Sequence, residues 1–100
     1  MRKAILLLFA LVIVMNPMMT LTAQDDPIVI GWVIDESGEG AAIAESQIVG
    51  VQIALEQLNE AGGILGRPVQ VIRRDAALDA AQGATIAREF ALEDEVDFLL

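Results

Sequence analysis

The sequence contains no cysteine and no histidine. Without cysteine there can be no disulfide, no thiolate metal ligand and no thiol nucleophile. The lipid attachment that tethers bacterial lipoproteins is excluded as well, because it needs a cysteine at the cleavage point. Without histidine the commonest general base and the commonest zinc ligand are both missing. Positive charge is scarce too: 6 Lys and Arg stand against 15 Asp and Glu, a net charge of −9 over 100 residues. Two of the six, Arg2 and Lys3, head the chain, so without them 4 basic residues face 15 acidic ones, a net charge of −11. A surface of that sign disfavours nucleic acid and anionic lipid as partners.

What is present begins with that basic head. An apolar run from Ala4 to Met15 follows it, and then a segment of polar and small residues from Asn16 to Ala23. Basic head, short apolar middle and small-residue exit are the parts of a secretory signal peptide, here residues 1–23. The apolar middle falls short of the roughly 20 residues that span a bilayer. Ala23 is the expected last residue removed, with the bulkier Leu21 two positions before it. An uncleaved N-terminal anchor is the alternative, helped by Met18, Met19 and Leu21. Cleavage without lipidation would release the mature chain, residues 24–100, into the periplasm or the medium. The overall hydrophobicity of 55% is inflated by the leader.

From Pro27 onward, strand and helix signals alternate. Ile28 to Ile34 is a continuous apolar, β-branched run, as in a strand buried on both faces. Asp35 to Ala44 reads as a polar, Gly- and Ala-rich loop. Ile48, Val51, Ala54, Leu55, Leu58 and Ala61 then recur at helical spacing and predict a helix over 46–61, closed by Gly62 and Gly63. Gly50 inside it costs about 1 kcal/mol relative to alanine, which points to close packing of the helix on a strand. Asn59, in the last turn, is suited to a side-chain bond with nearby backbone. Pro68 opens a second strand, Val69 to Arg74. Asp79 and Gln82 have the spacing of a capping box for a helix running to about Glu93. A third strand starts at Asp97. The order β-α-β-α-β, with short loops, predicts an α/β fold: half of a Rossmann-like sheet with parallel strands. Three strands leave a parallel edge open and little core to cover it, so the chain reads as the opening part of a longer protein.

Three kinds of chemistry could be built on these residues. A dinucleotide fingerprint needs three glycines spaced to bring backbone amides onto a pyrophosphate. Gly38 and Gly40 supply two, but Ile43 stands at the third position and Glu39 puts negative charge where phosphate would sit. Gly62, Gly63 and Gly66 follow a helix instead of preceding one. Acid/base or cation chemistry would draw on Asp35, Glu36, Glu39, Asp75 and Asp79, all near the carboxyl ends of strands, where open α/β sheets hold ligands. The plainer account has Asp79 capping a helix and the others solvated or paired with Arg73 and Arg74. No nucleophile with a base is in reach of these residues, and no catalytic residue, metal ligand or cofactor is assigned.

The third kind is binding without chemistry, and it rests on a resemblance. The runs Ile28-Val-Ile-Gly-Trp-Val-Ile-Asp-Glu-Ser-Gly and Gly50-Val-Gln-Ile-Ala-Leu-Glu-Gln-Leu-Asn-Glu-Ala-Gly-Gly-Ile-Leu-Gly-Arg resemble the start of the branched-chain amino acid (Leu/Ile/Val-type) binding proteins of ABC transporters. Asp75-Ala-Ala-Leu-Asp79 fits the continuation. The likeness covers residues 27–100, and Leu58 to Gly66 is its most specific part. It implies the first part of lobe 1 of a two-lobe type I periplasmic binding protein, which closes on a small solute and delivers it to membrane permease subunits. Branched-chain amino acids or related small amides and acids are the implied solutes, and no cofactor is implied. By the resemblance, Ser37 and Gly38 match a Ser-Gly element facing the cleft. Ile43 takes a position often held by an aromatic residue that packs on the ligand; an aliphatic side chain there suits an apolar group and offers no π face to a cation. The ligand-binding domain of a sensory receptor shares this fold, and a sugar-type binding protein or an α/β enzyme has a similar half-sheet.

Overall fold

The apolar run at Ile28 forms the central strand of a three-stranded parallel sheet. The structure, a computed structural model, describes residues 26–100. The segment read as a signal peptide lies outside the described residues. Strand β1 (Ile28–Ile34) is followed by a 3-10 turn (Gly38–Gly40), helix α1 (Ala41–Glu60), strand β2 (Val69–Asp75), helix α2 (Ala80–Leu92) and strand β3 (Phe98–Leu99). The strand order is β2-β1-β3. β1 pairs with β2 from Ile28↔Val69 to Ile34↔Asp75, and with β3 at Ile30↔Phe98 and Gly31↔Leu99.

The crossover from β1 to β2 and the one from β2 back to β3 run in opposite directions across the sheet, so their helices lie on opposite faces and both faces of β1 are covered. Successive strand side chains point to opposite faces. Trp32 and Ile34 accordingly pack with Ala44, Ile48 and Val51 of α1. Val33 and Ile72 pack instead with Ile86 and Phe90 of α2, beside Ala76 and Val96. Gly31 faces α2 as well. A Cβ built there would lie 2.8 Å from Cγ of Phe90, so the glycine is what lets the ring rest on the strand.

The same alternation parts the two arginines. Arg73 pairs with one of the loop carboxylates, as the plainer account of them has it, while Asp75 pairs with neither arginine. Arg73 points to the α1 face and its Nε donates to Glu36 Oε1 at 2.8 Å. Arg74 points to the α2 face, where its Nη1 meets Asp94 at 2.8 Å and Glu89 at 3.3 Å, with the guanidinium 4.6 Å from the Phe90 ring centroid. These pairs are partly solvated and add little each.

Helix α1 begins five residues earlier than its periodicity suggested, at Ala41 instead of Ser46. The Gly- and Ala-rich stretch read as loop is a 3-10 turn running directly into the helix. Alanine is the best helix former, and Ala44 is buried to 2% exposure against Trp32 and Ile34. Gly50 also departs from expectation. It lies on the exposed side of α1, and a Cβ added there would meet nothing within 4 Å, so strand packing does not explain it. Gly63 is different: its φ is +74°, and a Cβ would fall on the carbonyl oxygen of Arg67. That close approach belongs to a two-residue hairpin in which Ile64 and Arg67 exchange backbone hydrogen bonds of 2.9 Å each way. Leu65 and Gly66 both have positive φ, which is the type I′ pattern.

Candidate functional site

Parallel pairing brings the carboxyl ends of β1 and β2 level, so that Ile34 and Asp75 sit side by side. The connections that leave them, Asp35 to Gly40 and Ala76 to Asp79, lie next to each other. They are tied by carboxylates accepting backbone N–H groups. Asp75 Oδ1 accepts from Glu36 N–H at 2.9 Å and from Ala77 N–H at 2.8 Å. Asp35 Oδ1 accepts from Leu78 N–H at 2.7 Å, joining the two connections directly. Asp79 Oδ1 accepts from Ala81 and Gln82 N–H and caps α2. The second half of the expected capping box is absent: the Gln82 side chain donates to the Asp75 carbonyl at 2.9 Å instead. The acidic residues here are thus mostly turned inward, holding loops. Among the described residues no group of three or more His, Cys, Asp or Glu is placed to hold a metal ion.

Outside this frame lies an open hollow of about 370 Å³, lined among others by Trp32, Asp35, Gly40, Ile43, Gln47 and Leu78. A second one, of about 300 Å³, adjoins it and shares Asp35 and Leu78. Ile43 is on the first turn of α1, not in a loop, and is 67% exposed. The structure therefore brings Ile43 together with Asp35, but it does not bring Ser37 or Gly38 into the lining of the hollow. Ser37 is exposed and extended, and its side chain does not cap the turn that follows. Gly38 has φ +63° with open space where a Cβ would lie. Gln47 and Leu78 are among the lining residues that the sequence does not single out. Gln47 lies one turn after Ile43 on the helix that starts at Ala41, a relation that a loop over 35–44 conceals. Leu78 was hidden because nothing in an Asp-x-x-x-Asp loop says which way its last apolar residue turns.

The Asp75 carboxyl is held below its ordinary value of 3.8. The Ser37 hydroxyl contributes most, then the Ala77 N–H; partial desolvation opposes them, and the N–H groups of Glu36 and Ser37 add to the lowering. A carboxylate with a depressed folded pKa adds stability that is in full force above the unfolded value and is lost as pH falls through the folded one. The acid limb below about pH 4 is therefore expected to be shallower in Asp75→Asn than in the parent. Thermal melts between pH 5 and pH 3 measure this directly. Equal losses of Tm in both proteins would show that Asp75 is not a source of the acid sensitivity.

The family described as periplasmic binding protein matches residues 27–100, nearly all of the described chain. The chain belongs to that family. Among solved structures it is similar to the branched-chain amino acid transporter substrate binding protein LivJ from Streptococcus pneumoniae str. Canada MDR_19A, in complex with isoleucine, at 30% identity and a TM-score of 0.67. That match covers 73% of this chain and 21% of LivJ, so the chain spans about a fifth of that protein's length. The three parallel strands with their two crossover helices are the fold of part of a type I periplasmic binding protein lobe. In this periplasmic binding protein the most specific sequence element, Leu58 to Gly66, acts in folding: it ends α1, turns the chain and starts β2. The ligand-facing candidates lie at the other end of the strands.

Proposed function

We propose that this chain is the opening part of lobe 1 of an extracytoplasmic solute-binding component of an ABC transporter, exported by a cleaved signal peptide over residues 1–23. Its solute is a branched-chain amino acid or a related small amide or acid, which it binds without chemical change and hands to membrane permease subunits. The observation that carries this reading is the hollow at the carboxyl ends of β1 and β2, where Ile43 presents an exposed aliphatic side chain beside Leu78. LivJ, in complex with isoleucine, supports the same solute class. The inward-turned carboxylates agree with binding instead of catalysis, because Asp35, Asp75 and Asp79 are each engaged by backbone N–H groups. In this reading Ser37 and Gly38 shape the loop beside the hollow, and Ile43 touches the solute.

A ligand that binds only the folded state stabilises it by RT ln(1 + [L]/Kd), about 2.7 kcal/mol at a hundredfold excess over Kd. A thermal-shift panel on the full-length protein is expected to show an upward shift with leucine, isoleucine or valine, or with a small amide or short acid. Sugars are expected to leave Tm unchanged. A shift with sugars alone would overturn the assignment of solute class.

A further inference from the structure

We propose that Leu78 is a specificity-determining residue of the solute site, receiving the aliphatic end of the solute together with Ile43. This rests on the solute-binding reading above and adds a residue to it from a different loop. Ala77 and Leu78 have φ of +53° and +59°, two consecutive non-glycine residues in the left-handed region. Such backbone persists only where its surroundings over-determine it. Here they do: Ala77 N–H is held by Asp75, Leu78 N–H by Asp35, and Asp79 N–H by the Ala76 carbonyl. Yet the conformation does not serve the core. It stands the Leu78 side chain outward, 59% exposed, while Ala76 two residues before it is buried.

Its position accounts for the arrangement. Leu78 lines both the hollow of about 370 Å³ and the adjoining one of about 300 Å³, so it is a wall common to the two. Ile43 is the other exposed aliphatic side chain in the lining of the larger hollow, with Trp32 of β1 also in that lining. Two branched aliphatic groups on rigid supports, one on a helix and one on a pinned loop, suit a branched aliphatic side chain. A smaller residue at 78 would join the two hollows and remove half of that wall. Discrimination between aliphatic solutes in such a pocket is set by contacts of this kind, at about 10- to 200-fold per methylene.

The test separates binding from folding by using Leu78→Asn and Leu78→Ala in the full-length protein. Asparagine is enriched in left-handed backbone, so Leu78→Asn keeps or relieves the loop while removing the apolar wall. Calorimetric titration with leucine and valine is expected to give a leucine Kd about tenfold weaker in both variants, with the preference between the two solutes flattened. The unliganded Leu78→Asn protein is expected to melt at or above the parent's Tm. Unchanged leucine and valine affinities in both variants, beside a parent that binds them, would overturn this proposal and leave the solute-binding reading standing. A parent that binds neither solute would overturn this proposal, and one that also binds no small amide or short acid would overturn the solute-binding reading with it.

Discussion

Phe90→Ala is expected to destabilise the protein by about 3–5 kcal/mol, the usual range for emptying a fully buried aromatic site. Phe90 has no exposed surface, and it joins α2 to the sheet by packing with Ala76, Ile86, Val33, Ile72 and Val96. Gly31→Ala attacks the same contact from the strand. Its methyl would lie 2.8 Å from the ring Cγ and 2.9 Å from Cδ2, which is closer than real contacts allow. Overpacking of this kind costs about 1–3 kcal/mol. The two changes are expected not to add. In the Phe90→Ala background the ring is gone and only the Cβ of residue 90, 3.2 Å away, still meets the methyl, so Gly31→Ala costs much less than in the parent. Urea unfolding of the parent, the two single variants and the double variant forms a double-mutant cycle that reads the coupling. Simple additivity would mean that the ring does not rest on the glycine.

Asn59→Ala is expected to cost about 2 kcal/mol, which is large for an exposed residue in the last turn of a helix. Asn59 Nδ2 donates to the Val69 carbonyl at 2.9 Å, and Asn59 Oδ1 accepts the Val69 N–H at 2.8 Å. β2 is an edge strand in the described sheet, and Val69 itself is only 3% exposed. One side chain thus satisfies the donor and the acceptor that a neighbouring strand would otherwise engage. Alanine leaves both unpaired next to a buried residue, whereas Asn59→Asp keeps the acceptor and loses the donor. The expected order of stability is parent, then aspartate, then alanine, in chemical denaturation. Hydrogen exchange at the Val69 amide should accelerate in the alanine variant. Retained protection there, with an unchanged denaturation midpoint, would remove the pairing as a source of stability.

Asn59 also marks the boundary between what could and could not be read in advance. Its type and place pointed to a backbone bond, but a local one; the partner lies ten residues on, across a hairpin whose geometry depends on Gly63 approaching Arg67. Gly50 shows the opposite failure. A glycine in mid-helix suggested close packing, yet in the described residues it faces open space, because spacing says where a residue lies on a helix and not what stands opposite. The candidate site divides in the same way. Ile43 lines the hollow, while Ser37 sits beside Asp75.

The strands, the helices and their parallel order followed from the sequence alone, because hydrophobic period, glycine stops and short connections are local properties of the chain. The excluded chemistry followed as well: without cysteine or histidine, whole classes of site cannot be built from these residues. The tertiary structure decided where the charged and exposed groups point. Alternation along β2 sent Arg73 and Arg74 to opposite faces, one to Glu36 and the other to Glu89 and Asp94. Pairing of β1 with β2 placed Asp35 against the Leu78 amide, and so turned an apolar side chain outward into the hollow. Those outcomes depend on contacts between residues some forty positions apart, and periodicity within a single element carries no information about them.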